Sequence, residues 1–401
     1  MRKTGKSWLV FTAAILALSL ILGGAISVQA AEKTLKIGVI MPISGPISVV
    51  GITLSRAIEM AFDKVNETGG LQLGGDTYKI KTIVEDSKLS PDAAVTATRK
   101  LIHKDKVDFV MGAILSHSAA AINQVTEPAG VLHVITWIDV PGHPGDVNPD
   151  KPLAVRLVIS SDSMYEMDYD YLKKTYPQAK RVVMVYPDLG YEKMIERAKG
   201  VAAERGIEIV AAEKWQFGIT DFMPLCTKAL GHKPDAIHCM VSAQSNYVLR
   251  VARQLGFEGP FFSDSPLGPE VILRTAGAEA CDQVFCNGMD LGHPTPAMQD
   301  VMDRWQAKYE EPFISDAFLT WDEAWILVQA LKKADSVDPA KVAAAFDQLT
   351  APGSLMTTFG PGHMGGKERF GVTRVLTRPV PISTIIKGQI GLASLKMPVI
   401  E

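Results

Sequence analysis

The chain has 401 residues, with 41 basic and 44 acidic side chains and a net charge of −3. That balance offers no electrostatic case for nucleic acid as a partner, and four cysteines in this length exclude a disulfide-built scaffold. The length suits two domains rather than one core.

Residues 1–30 read as a leader and not as part of the fold. Arg2, Lys3 and Lys6 precede an almost unbroken apolar run over 8–23, and small and polar residues follow. Val28 and Ala30 flank Gln29 in a small-x-small pattern, so cleavage is expected after Ala30. The run is short for a hydrocarbon core about 30 Å thick, which counts against a membrane anchor. No cysteine lies near the cut to accept a lipid, so the mature chain is expected free in solution after export.

Residues 35–41 then form a short apolar strand, broken by Pro42 and by Gly45-Pro46. Ile58, Ala61, Phe62 and Val65 recur at helical spacing and predict a helix over 52–66, stopped by Asn66 and Gly69-Gly70. A strand over 80–84 leads to Ser90-Pro91-Asp92, an N-cap with proline at the first helical position, and that helix is expected to end near His103. A strand over 107–111, a helix from about Ser116 and a strand over 131–136 complete a first series. The Pro- and Gly-rich stretch 141–152 closes it, and the chain is expected to cross to a second lobe near 155–160. There the rhythm restarts: strands at 181–186, 207–211 and 236–241 alternate with helices at 192–205, 222–230 and 245–255.

This alternation predicts parallel sheets built from βαβ units, and its restart predicts two Rossmann-like lobes. Three helices in a row follow, at 295–307, 318–333 and 339–349; the strands 372–376 and 382–386 then read as a β-hairpin. The expected fold is α/β, with two parallel-sheet lobes joined by a multi-strand hinge. The first lobe would comprise 31–156 plus 290–355, and the second 157–289 plus 356–401. Cys226 and Cys239 read as small buried apolar residues, while Cys281 and Cys286 are near enough for export to permit a bond.

Open parallel sheets bind ligands beyond the carboxyl ends of their strands. At 111–118 a strand gives way to a helix opening at Ser116, and a helix start with a serine favours an anionic group. Ser116 or Ser118 could equally cap its own helix. The next exit carries Thr136, Trp137 and Asp139, a stacking wall beside an acid; packing in a cleft floor is the plainer reading of Trp137. In the second series the exits supply Asp188 and Tyr191, Ser242 and Gln244, and Ser263, Asp264 and Ser265. Together they form a hydrogen-bonding inventory for a polar small molecule.

The sequence contains no G-x-S-x-G elbow, phosphate-binding GxxxxGK[ST] loop or HExxH helix. One formal G-x-G-x-x-G, at 360–365, contains Pro361 and runs into Lys367, Glu368 and Arg369, and so reads as a glycine-rich loop. The histidines are scattered, and no metal or cofactor is expected.

Taken in order, these landmarks resemble the leucine/isoleucine/valine-binding protein family of type I periplasmic binding proteins. They are residues 36–46, the helix end at 66–71, Val84 to Ser87 before Pro91, Val110-Met111-Gly112 into Ser116, and 249–256 after the strand at Asp235. The resemblance spans essentially the whole mature chain. It implies a monomeric clamp that delivers a small molecule to the membrane permease of an ABC importer. Ser116 would hold the ligand carboxylate, and 136–140 the amino-acid head group. Tyr191 would close over the ligand, and Asp264 or Ser265 would face its ammonium. Trp137, Ile138, Asp139 and Val140 stand where amino-acid binders carry small residues and a threonine; Val50 and Val241 stand in place of aromatics. These departures count against a simple branched-chain amino acid; the family also serves amides, urea and organic acids. Two other outputs fit the same fold: ligand sensing with a separate receptor, or secreted hydrolysis using Asp139, Asp264 and a histidine.

Overall fold

The structure is a computed structural model that describes residues 32–45, 47–137, 141–216, 218–240, 244–264 and 268–398. The predicted leader lies outside these residues.

The first series runs β1 (Glu32–Met41), α1 (Ser48–Glu67), β2 (Leu71–Leu73), β3 (Asp76–Asp86), α2 (Pro91–Lys100), β4 (Phe109–Gly112), α3 (Ser116–Ala129), β5 (Leu132–Ile135) and β6 (Ala154–Arg156). β4, β5 and the second half of β1 are buried on both faces, as parallel strands covered by helices require. Ile58, Ala61, Phe62 and Val65 turn the apolar stripe of α1 into the same core as Leu35, Ile37 and Val39. Ser90 stands at the start of α2 in extended geometry ahead of Pro91, but its hydroxyl makes no capping bond.

The second series runs α4 (Tyr165–Thr175), β7 (Arg181–Pro187), α5 (Glu192–Glu204), β8 (Glu208–Trp215), α6 (Met223–Gly231), β9 (Ala236–Cys239), α7 (Ser245–Gln254), β10 (Phe261–Ser263), α8 (Pro269–Ala276) and β11 (Val284–Cys286). The chain then gives α9 (Pro296–Lys308), α10 (Ala317–Ala334), α11 (Pro339–Phe346), β12 (Leu355–Thr357), β13 (Gly360–Gly365), α12 (Lys367–Phe370), β14 (Val375–Thr377), β15 (Val380–Ile386) and β16 (Gln389–Lys396).

Among the described residues, one sheet has the order β12-β13-β14-β6-β5-β4-β1-β3-β2 and the other β16-β15-β11-β10-β9-β7-β8. The helices α9 to α11 join the first core through Met298, Val301, Trp305, Phe318 and Phe346. The chain therefore passes between sheets after β6, after β11 and between β14 and β15. This is the two-lobed α/β architecture with a multi-strand hinge.

Several expectations are corrected. Strands 372–376 and 382–386 do not pair with each other: β14 pairs with β6 and β13, and β15 with β11 and β16. The hairpin is β15–β16. Segment 356–377 accordingly joins the first sheet and not the second lobe, because β13 and β14 extend that sheet past β6. The glycine-rich 360–365 is the strand β13, where a Cβ at Gly362 would lie 2.6 Å from the Thr377 carbonyl oxygen, so glycine permits the close strand contact. Cys281 and Cys286 are buried free thiols, as are Cys226 and Cys239. No helix among the described residues is long and apolar enough to cross a membrane.

Candidate ligand-binding site

On the first lobe the site is built where β4 and β5 end side by side. The chain leaves β4 at Gly112 and enters α3 at Ser116 through Leu115, which stands at φ 82°, ψ 137°. A non-glycine residue held there costs on the order of 1–3 kcal/mol, and such positions cluster at ligand clamps. Leu115 is the N-cap of α3 and supplies no side-chain acceptor, so neither serine occupies the capping position. Ser116 and Ser118 are both buried, and the Ser118 hydroxyl has no hydrogen-bond partner. Thr136, just beyond β5, donates its hydroxyl to the Ala113 carbonyl at 3.2 Å and ties the two exits together.

Beneath them His133 bridges the Asn123 side-chain oxygen at 2.6 Å and the Gly112 carbonyl at 2.5 Å. Burial pulls its pKa down to about 4. Asn123 also donates to the Gly145 carbonyl at 3.0 Å. Gly145 seats the following loop on α3 so closely that a Cβ would fall 2.1 Å from the Ser116 carbonyl oxygen. Trp137 is half-buried and packs on the first core. Asp139 lies outside the described residues.

On the second lobe Tyr191 is buried at the start of α5, and Asp264 is buried immediately after β10. Ser242 and Ser265 lie outside the described residues. Asp188 accepts from Lys214 and Gln216 at the β7 exit, which holds its carboxyl below the usual range. Thr136 thus ties the β5 exit to the segment leading into Ser116 on one lobe, and on the other Tyr191 and Asp264 both act electrostatically on a third residue, Tyr165.

That third residue belongs to a buried polar cluster absent from the sequence reading. Tyr165, Asp168 and Tyr169 project from α4, His238 from β9, and Asp264 and Asn287 from just beyond β10 and β11. Tyr169 meets His238 Nδ1 at 3.0 Å, and His238 Nε2 lies 4.0 Å from Asp264 Oδ2. Asn287 donates to Asp168 Oδ1 at 3.1 Å and to the Pro381 carbonyl at 3.3 Å. Burial pulls the His238 pKa down to about 3. Burial, then the Asp264 charge, pushes Asp168 well above the usual carboxylate range. Tyr165, Tyr169 and Leu172 recur at helical spacing, but the buried Asp168 interrupts what would otherwise be an apolar face and masks the signal. No group of three or more metal-ligating side chains is arranged for a metal among the described residues.

The first curated relative is the leucine-, isoleucine-, valine-, threonine- and alanine-binding protein of Pseudomonas aeruginosa. It is 22% identical over 327 residues, covering 81% of this chain and 85% of that protein. Among solved structures, the branched-chain amino acid transporter substrate-binding protein LivJ of Streptococcus pneumoniae, in complex with isoleucine, has a TM-score of 0.74 at 21% identity. It covers 91% of this chain and all of that one. A solute-binding protein of an ABC transporter from Rhodopseudomonas palustris, in complex with 3,4-dihydroxybenzoic acid, also has a TM-score of 0.74. It is 19% identical, with coverages of 91% and 98%. The sequence model described as periplasmic binding protein matches residues 34–388, so this chain belongs to the periplasmic binding protein family.

Proposed function

We propose that this protein is the solute-capturing component of an ABC importer, exported behind a cleaved leader, which closes its two lobes on a small organic carboxylate and passes it to a membrane permease. The observation that carries the reading is the opening of α3. A helix start carries N–H groups and the positive end of a dipole. Here it has an apolar N-cap, a buried serine at its first position and an unpartnered buried hydroxyl at Ser118.

The two ligands named with the structural neighbours support the choice. Isoleucine and 3,4-dihydroxybenzoic acid share a carboxylate and differ in everything attached to it. A fixed carboxylate site on the first lobe, with a variable second lobe, accounts for one fold serving both chemistries. Closure about the hinge then removes the bound solute from water.

The test is a thermal-shift panel on protein recovered from a periplasmic extract, then unfolded and refolded to strip carried-over ligand. Amino acids, aliphatic and aromatic carboxylates and their neutral amides are compared. A ligand that binds only the folded state raises the melting temperature by mass action. Carboxylates should shift it and their amides should not, and Ser116→Ala should abolish the shift. A panel in which amides match their acids would sink the carboxylate reading.

A further inference from the structure

We infer that the buried cluster of the second lobe receives a cationic nitrogen, an ammonium or guanidinium, carried at the far end of the bound carboxylate. The inference rests on the clamp reading above and specifies its cargo: an ω-amino or ω-guanidino acid.

The cluster stands at the carboxyl ends of β9, β10 and β11, where an open parallel sheet presents its ligand site. Its members are closed off from solvent yet incompletely satisfied. The Tyr165 hydroxyl, Asp168 Oδ2, His238 Nε2 and Asn287 Oδ1 have no hydrogen-bond partner, and each residue is at least nine-tenths buried. Buried polar atoms are rarely left this way without an occupant.

The donor and acceptor inventory sets the occupant's chemistry. Both N–H groups of Asn287 are spent on Asp168 and the Pro381 carbonyl, so only its oxygen remains. Asp168 offers a carboxylate oxygen, and the Asp264 carboxylate stands 4.0 Å from His238 Nε2. Asp168 Oδ2 and Asn287 Oδ1 stand open as acceptors, and a second carboxyl, Asp264, lies in the same dry site. Burial, then repulsion from Asp264, disfavours the ionised form of Asp168. A ligand cation with several N–H donors would restore the Asp168 charge and fill the open acceptors. An apolar tail would leave those acceptors stranded, and an anionic tail would be repelled.

The test is calorimetric titration of four carboxylates: 5-aminopentanoate and 4-guanidinobutanoate with cationic ends, pentanoate with an apolar end, and glutarate with an anionic end. Each is titrated into the refolded protein and its Asp168→Asn, Tyr165→Phe and Ser116→Ala variants. The cationic probes should bind at least tenfold more tightly than pentanoate. Asp168→Asn should erase that preference while leaving pentanoate within threefold, and Tyr165→Phe should weaken it. A general loss of folding would weaken all four probes together, so the ratio between probes isolates the cluster's role.

If pentanoate or glutarate binds as well as the cationic probes through Ser116, and Asp168→Asn changes nothing, the cluster holds buried water and the inference is overturned while the clamp stands. If none of the four binds, nor any carboxylate in the thermal panel, the clamp reading and this inference fall together.

Discussion

Asp322 shows how a single buried acid couples this fold to pH. It lies on α10 beside Glu323 and accepts hydrogen bonds from the Thr358 amide at 2.7 Å and the Thr358 hydroxyl at 3.0 Å. Arg378, also buried, attracts it from the residue after β14, at one of the crossings between lobes. Burial nevertheless wins, and the Asp322 pKa is pushed up to about 7. The unfolded carboxyl titrates near 3.8, so between these values the folded state holds a proton that the unfolded state has lost. This contribution is complete below the unfolded value and is lost as pH rises through about 7. Over pH 6 to 8 the loss is about 1 kcal/mol. Asp322→Asn keeps an acceptor for Thr358 but does not titrate. Its stability, from urea unfolding at pH 6, 7 and 8, should decline by about 1 kcal/mol less than the parent's. Parallel declines in the two proteins would show that Asp322 is ionised throughout.

At the scale of elements, the loop 141–147 links the ligand site to the hinge, and a buried ion pair holds it. Asp146 accepts from Arg156 on β6 at 2.7 Å, with both side chains essentially inaccessible, and also from the amides of Gly142 and Val147. Arg156 further donates to the Val158 carbonyl at 3.2 Å and lies 5.3 Å from the Phe370 ring. Asp146→Ala leaves the guanidinium buried without its counter-ion, which typically costs about 3–5 kcal/mol. A fall in urea-unfolding free energy of that order is expected, together with weaker carboxylate binding because Gly145 no longer seats on α3. A loss below 1 kcal/mol would mean the loop is held by its backbone alone. This tie explains what the sequence could and could not disclose. The strand exits at Ser116, Thr136, Tyr191 and Asp264 were legible because local periodicity marks where strands stop. The helix Tyr165–Thr175 was not, since Asp168 breaks its apolar stripe for a reason that exists only once β9, β10 and β11 surround it. The false hairpin arose similarly: two short apolar runs close in sequence read as paired strands, but pairing with β6 and β11, distant in sequence, decides which sheet each strand joins.

On the scale of the whole molecule, the proposed function requires that the lobes part and close, and one contact between them makes this testable. Gly268 starts α8 in the second lobe, and Ser315 stands two residues before α10 in the first. A Cβ placed at Gly268 would lie 2.9 Å from the Ser315 hydroxyl oxygen, close to the roughly 3 Å between a Cβ and the opposite sulfur implied by disulfide geometry. The Glu270 carboxylate oxygen that also crowds this point is the end of a flexible side chain. The native cysteines are all buried and free, so an engineered pair would oxidise without competition from an existing bond. In Gly268→Cys/Ser315→Cys loaded with a carboxylate and then oxidised, the lobes cannot separate along this edge. Ligand release, followed by stopped-flow dilution, should slow at least tenfold and recover on adding dithiothreitol. Equal release from the oxidised and reduced forms would mean the solute leaves without the lobes parting here, and capture by closure would have to give way to binding in a rigid cleft.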